Sequence, residues 1–206
     1  MTPQRYAFLG FALLVCTPFL YFVFRSDEPI KNFPPKNHTV VAFGDSLVEG
    51  VGATEGNDFI SAVGRNLEIS IINKGKSGDT TATGLSRLQD VLDENPGVVL
   101  VLLGGNDAIR RVPKEETFKN LGTIIERLEG SGVVVILLGV RGGILADGYE
   151  EDYKTLAKKY QTAYVPNVLE GLITNPDLMY DGIHPNDKGY QIIAERITPV
   201  LKDVLK

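Results

Sequence analysis

Ser46 is the first residue in the chain whose position suggests covalent chemistry. It follows the apolar run Val40–Phe43 and the turn residues Gly44 and Asp45. Such a run, bounded by turn residues, predicts a buried strand, and open α/β sheets bind ligands at the carboxyl ends of their strands. A serine hydroxyl at that edge becomes a nucleophile only when a base and an oxyanion site accompany it. Without them, Ser46 would be a helix-capping residue.

Two histidines are available as the base, His38 and His184. His38 precedes the first strand, so we expect it about one strand length from Ser46, at the opposite edge of the sheet. His184 comes three residues after Asp181 and directly before Pro185, which disfavours a helical conformation at His184. In an Asp-x-x-His turn the carboxylate can reach one imidazole nitrogen while the other faces the serine. The sequence therefore predicts a triad of Ser46, His184 and Asp181, with His38 exposed to solvent.

Two glycine-rich segments, Lys76–Asp79 and Gly104–Asp107, follow predicted strands and carry hydrogen-bond donors. Since parallel strands end at one edge of the sheet, we expect both segments near Ser46. The backbone N–H groups of Ser46 and Gly78 and the side-chain amide of Asn106 would then form an oxyanion hole. Taken alone, each segment is equally compatible with an ordinary turn.

Strand-like runs alternate with helical patterns along the chain, which is typical of a parallel sheet covered on both faces. The predicted strands are Val40–Phe43, Ile69–Asn73, Val98–Leu103, Val133–Val140 and Ala163–Val165. The predicted helices are Asp58–Leu67, Thr81–Leu92, Lys114–Leu128, Tyr149–Tyr160 and Asp187–Leu205.

Composition and charge limit the partners and cofactors that we expect for this chain. The 206 residues suffice for one domain and an appendage, and the formal net charge is -5. With no long basic run, nucleic acid is not an expected partner. The single cysteine, Cys16, excludes an intramolecular disulfide, and the two distant histidines form no zinc-ligand cluster. We expect a monomer that needs neither a metal nor another cofactor.

The amino-terminal stretch Tyr6–Phe24 is uncharged throughout its 19 residues. As a helix it would be roughly 28 Å long, close to the thickness of the bilayer hydrocarbon. It ends in bulky residues before Arg25, without the small residues of a cleavage site. The pattern predicts a transmembrane anchor in residues 1–25, a linker in residues 26–38 and an extracytoplasmic domain. A cleaved signal peptide, giving a secreted or periplasmic protein, is the alternative.

Four segments together resemble the motif blocks of the SGNH hydrolases, the GDSL-type esterase superfamily: FGDSLVEG, NKGKSGDTT, LLGGND and DGIHPN, in this order. The resemblance covers residues 39–206 and is closest to the bacterial acyl-CoA thioesterase, lysophospholipase and arylesterase branch. The family quartet falls on Ser46, Gly78, Asn106 and His184, and Asp181 completes the triad. The resemblance implies a three-layer, flavodoxin-like α/β/α sandwich with five parallel strands. It also implies metal-free hydrolysis of acyl esters or thioesters through an acyl-enzyme on Ser46.

The motif residues do not select one substrate. Carbohydrate O-deacetylases belong to the same superfamily, and a catalytically silent envelope lipid-binding protein is the non-enzymatic alternative. A binding module has no need of all four polar residues Ser46, Asn106, Asp181 and His184, and their presence argues against a silent protein. Arg110 and Arg111 follow the Asn106 segment and are expected to border the acyl pocket, where they would meet a phosphate-bearing head group. A solvent-exposed loop is the other interpretation of the arginine pair.

The predicted anchor leads to a first test. The full chain should fractionate with membranes and resist alkaline carbonate extraction, because Tyr6–Phe24 is long enough to span the bilayer. A chain that begins near Lys36 should be soluble and active. Amino-terminal sequencing of the mature protein provides the check: a first residue beyond position 24 would show that the stretch is a cleaved signal peptide.

Overall fold

Five parallel strands form one sheet, in the order β2-β1-β3-β4-β5, in the computed structural model, which describes residues 29–140 and 148–206. The strands are β1 (Val40–Gly44), β2 (Ile71–Gly75), β3 (Val98–Leu102), β4 (Val134–Leu138) and β5 (Ala163–Val165). Every residue of β1, β3 and β4 is buried, as expected for central strands covered on both faces. This confirms the predicted α/β fold with a five-stranded parallel sheet.

Helices cover both faces of the sheet. They are α1 (Ser46–Glu49), α2 (Phe59–Leu67), α3 (Thr81–Ser86), α4 (Gln89–Leu92), α5 (Gly105–Ile109), α6 (Lys114–Gly130), α7 (Glu150–Tyr160) and α8 (Asp187–Val204). Helix α2 packs against α8, whereas α6 packs against α3 and α7. The sheet order places β1 between β2 and β3, so the connection leaving β1 and the one leaving β3 flank the point at which the strand order reverses. Ligands bind at this point in open α/β sheets.

The structure differs from the predicted elements mainly in the short helices. The predicted helix Thr81–Leu92 is broken into α3 and α4, and the second strand begins at Ile71, two residues later than expected. The sequence does not predict α1 or α5, which have four and five residues. Helices this short show no apolar periodicity.

A segment that we call the strap, Pro29–Thr39, lies along the amino ends of the strands, opposite the edge that carries Ser46. One contact joins it to the residues just before each of β5, β4 and β3: Lys31 N to Gln161 O at 2.9 Å, Asn32 Nδ2 to Val133 O at 3.0 Å, and Gly97 N to Thr39 O at 2.9 Å. The strap thus packs on the domain along its length.

An ion pair reinforces the strap. Lys31 Nζ lies 2.9 Å from Glu129 Oε2, and the Glu129 side chain is almost completely buried. Burial raises the pKa of the Glu129 carboxyl, and the ammonium of Lys31 opposes that effect. A chain starting at Lys36 would leave this buried carboxylate without its cation. A soluble version is therefore better begun at Pro29.

Within residues 29–140 and 148–206, no helix combines the length and apolar character needed to cross a membrane. The predicted anchor, Tyr6–Phe24, lies outside the described residues.

Candidate active site

Ser46, Asp181 and His184 lie in hydrogen-bond contact at the carboxyl edge of the sheet. His184 Nε2 is 3.0 Å from Ser46 Oγ, although the two residues are 138 apart in sequence. On the other side of the ring, His184 Nδ1 is 2.8 Å from Asp181 Oδ2. The imidazole therefore bridges a hydroxyl and a carboxylate, as the Asp-x-x-His spacing leads one to expect.

The turn that carries His184 is held by the same carboxylate. Asp181 Oδ1 accepts hydrogen bonds from the backbone N–H groups of Ile183, at 2.8 Å, and His184, at 2.7 Å. Partial burial would raise the pKa of the Asp181 carboxyl, but the bonds from the His184 ring and these two N–H groups outweigh it and lower the pKa to about 2. The carboxylate consequently remains ionised and fixes both the backbone and the ring of His184.

Ser46 is the first residue of helix α1, and Asp45 rather than Ser46 caps that helix. Asp45 Oδ1 accepts from the backbone N–H of Leu47 at 3.0 Å. Burial raises the pKa of the Asp45 carboxyl to about 7, while the Leu47 hydrogen bond and the nearby His184 act to lower it. A cap at position 45 leaves the Ser46 hydroxyl to His184.

Of the two other predicted oxyanion residues, Gly78 lies in the loop after β2 and Asn106 is the second residue of α5. Asn106 Nδ2 donates to the carbonyl of Asp79 at 3.0 Å, which links α5 to the loop after β2. An amide nitrogen has two hydrogens, so this bond leaves Asn106 a second donor. Gly78 has a φ of +82°, a left-handed conformation that favours glycine.

Two aspartates that received no role from the sequence lie directly beside these residues. Asp107 is fully buried and accepts from Thr81, at 2.8 Å from its backbone N–H and 2.6 Å from its hydroxyl. This contact joins α5 to the first turn of α3. Asp79 is also buried. Their position directly after Asn106 and Gly78 in the motif blocks was the only available signal.

The remaining candidate residues divide into two groups. His38 is exposed and belongs to the strap, at the opposite edge from Ser46. Arg110 and Arg111 are both exposed after α5, and Arg110 Nη2 donates to the carbonyl of Gly78 at 2.8 Å. The first arginine of the pair therefore contacts the loop that carries Gly78.

The arrangement of these residues is suited to acyl transfer. A neutral imidazole can accept the Ser46 proton, and the ionised carboxylate stabilises the imidazolium that results. Over the described parts of the chain, no group of three histidine, cysteine, aspartate or glutamate side chains is arranged to hold a metal ion.

Known proteins are similar to this chain in sequence. The chain is 30% identical to esterase TesA of Pseudomonas aeruginosa over 179 residues, which are 81% of this chain and 89% of TesA. It is 36% identical to an arylesterase of Vibrio mimicus over 141 residues, 65% of this chain and 70% of that protein. The thioesterase 1/protease 1/lysophospholipase L1 of Escherichia coli K12 is 28% identical over 176 residues, 81% of this chain and 85% of that protein.

Solved structures give the same result. The crystal structure of TesA superimposes with a TM-score of 0.76 at 30% identity, covering 82% of this chain and all of that one. The SGNH-hydrolase family esterase AlinE4 gives a TM-score of 0.64 at 33% identity, covering 83% of this chain and 98% of that one. Residues 42–192 match the GDSL-like Lipase/Acylhydrolase family. The chain therefore belongs to this family and is an ester hydrolase.

Proposed function

We propose that the protein hydrolyses acyl esters or thioesters of the lysophospholipid, acyl-CoA or aryl ester type, with Ser46 as nucleophile, His184 as base and Asp181 as the residue that orients it. The observation that carries this proposal is the continuous Ser46–His184–Asp181 contact, with distances of 3.0 Å and 2.8 Å. The names of the similar esterase, arylesterase and thioesterase indicate the substrate types.

The reaction follows from the contacts. Ser46 Oγ attacks the acyl carbonyl carbon while His184 Nε2 takes its proton, and the imidazolium is stabilised by Asp181. His184 then protonates the departing alcohol or thiol, which leaves an acyl-enzyme on Ser46. Water, deprotonated by the same nitrogen, attacks this ester, and the returning proton restores the Ser46 hydroxyl as the carboxylic acid leaves.

The charge that develops on the carbonyl oxygen needs donors. We assign these to the backbone N–H groups of Ser46 and Gly78 and to the second amide hydrogen of Asn106. The Asn106–Asp79 hydrogen bond of 3.0 Å supports the assignment, because it holds the amide in place before substrate binds.

Apolar side chains at the catalytic edge support an acyl substrate. Ile109, Tyr180 and Ile183 are 58%, 69% and 46% exposed, and they neighbour the Asn106 and His184 segments in sequence. Isolated exposed apolar residues are common, but here they adjoin the reacting groups. We propose that they contact the acyl chain.

The proposed location follows from the amino-terminal stretch and the strap. We propose that residues 1–25 anchor the protein in a membrane, with the domain on the extracytoplasmic side. The strap holds Lys31 and Asn32 at the amino ends of the strands, so the described part of the chain begins at the edge of the sheet opposite Ser46.

The two histidines provide a matched test of the proposed function. His184→Ala should abolish hydrolysis of a p-nitrophenyl ester, lysophospholipid and acyl-CoA, because it removes the base that contacts the Ser46 hydroxyl. His38→Ala should leave all three activities nearly unchanged.

The measurement is steady-state hydrolysis together with labelling of Ser46 by a fluorophosphonate. Equal losses in the two histidine variants would show that the site has been assigned wrongly. Activity confined to an acetylated sugar in the same panel would identify an O-deacetylase instead. An unlabelled Ser46 in the wild type would indicate a silent binding protein.

Asn106→Ala tests the oxyanion assignment. If the amide binds the developing charge, kcat should fall about a hundredfold to a thousandfold while KM changes little. Asn106→Asp should be at least as damaging, since a carboxylate has no donor and repels the oxyanion. Kinetics and thermal unfolding are measured on one preparation. A wild-type kcat with a lowered melting temperature would make Asn106 a structural turn residue.

The arginine pair is tested with single variants, because the two side chains differ in their contacts. Arg111→Ala should weaken hydrolysis of lysophospholipid and acyl-CoA more than that of a neutral p-nitrophenyl ester, since the lost cation would meet only a phosphate. Arg110→Ala should slow all substrates, because Arg110 also holds the Gly78 carbonyl. The measurement is kcat/KM for each substrate. Equal effects of Arg111→Ala on charged and neutral substrates would contradict a head-group role.

A further inference from the structure

Arg87 lies between α3 and α4, outside the triad and the oxyanion residues, and its side chain is only 16% exposed. Its guanidinium makes two directed hydrogen bonds: Nε donates to Asp79 Oδ2 at 2.5 Å and Nη2 donates to the carbonyl of Gly44 at 2.9 Å. The same group lies 4.6 Å from the centre of the Phe43 ring. Arg87 therefore connects the end of β1 to the loop after β2.

Both hydrogen-bond partners stand next to proposed oxyanion donors. Gly44 is two residues before Ser46, and Asp79 directly follows Gly78. Asp79 also has a second contact, since its carbonyl accepts from Asn106 Nδ2 at 3.0 Å. Through Asp79, the guanidinium is thus connected to α5 as well. One side chain links all three segments that carry the donors.

Charge favours a cation at this place. Asp45, Asp79 and Asp107 are all buried close to Ser46, at 3%, 5% and 0% exposure. Asp107 is satisfied by Thr81, and Asp79 forms its ion pair with Arg87. Removal of the guanidinium would leave the Asp79 carboxylate buried without a cation, which is costly and would displace the loop.

We propose that Arg87 is a positioning residue that sets the spacing of the three oxyanion donors, and that it acts on the transition state rather than on substrate binding. This inference rests on the oxyanion hole assigned above. Arginine suits the role because its planar fork presents Nε and Nη2 to two separate acceptors at fixed angles, whereas a lysine offers one flexible ammonium.

The test compares Arg87→Ala with the more conservative Arg87→Lys, using kcat and KM for a neutral p-nitrophenyl ester. Arg87→Ala should lower kcat roughly tenfold to a hundredfold, with KM within about twofold of wild type, because misplaced donors weaken only transition-state binding. Arg87→Lys should recover part of kcat. If Arg87→Ala does not fold, Arg87→Lys and Asp79→Asn test the same contacts and should each reduce kcat with little change in KM.

Arg196→Ala is the matched control. Arg196 is a part-buried arginine of α8 that donates to the carbonyls of Val168, at 2.6 Å, and Glu170, at 2.8 Å. Its removal should lower the melting temperature, as we also expect for removal of Arg87, but leave kcat close to wild type. A comparable loss of kcat in Arg196→Ala would show that general loosening explains the Arg87 result, and would overturn the proposal.

A double variant separates the proposal from the oxyanion assignment. If Arg87 acts through the donors, Arg87→Ala combined with Asn106→Ala should reduce kcat by less than the product of the two single losses, because coupled residues are not additive. A kcat loss in the double variant equal to the product of the two single losses would overturn the role of Arg87 but not the oxyanion hole. A wild-type kcat in Arg87→Ala would do the same. A wild-type kcat in Asn106→Ala would instead refute the oxyanion hole on which both proposals depend.

Discussion

Ser46 Oγ and His184 Nε2 lie 3.0 Å apart, although the two residues are 138 positions apart in the sequence. This contact can form only because the fold of the domain brings the two residues together. Its geometry depends on the register of the sheet. Gly44 pairs with Gly75 in β2 and with Leu102 in β3, so these strands end level with one another. Because the strands end together, the loops that follow them meet beside Ser46.

Close backbone packing then fixes the serine more tightly than side chains alone could. A Cβ on Gly75 would lie 2.1 Å from the backbone nitrogen of Glu49, and one on Gly44 would lie 2.3 Å from the carbonyl oxygen of Leu102. Both are far inside van der Waals distance, so glycine is needed at these positions for α1 to approach the sheet. The serine is thereby positioned by main chain against main chain.

The sequence predicted the features that have local signatures. Alternating runs and turns located all five strands, and elimination between two histidines selected the one that contacts Ser46. The contacts of Arg87 could not be predicted from the sequence. A helical pattern does not show that the side chain of a polar residue between two short helices donates to the carbonyl of Gly44. The packing of the strap on the domain could not be predicted either, because Pro-containing segments have the same composition whether they are free or packed on a domain.

Two carboxyl groups of the site, those of Asp45 and Asp181, change the stability of the fold with pH in opposite senses. The pKa of Asp45 is raised from 3.8 to about 7, so the folded state binds its proton more tightly than the unfolded state does. That contribution to stability is complete below pH 4 and is lost as the pH rises through 7. The lowered pKa of Asp181, about 2, acts in the opposite sense and is lost only as the pH falls below 4. The carboxyl of Asp45 therefore ionises only at the expense of stability, and the close backbone packing around Ser46 has to hold the site while it carries that buried charge.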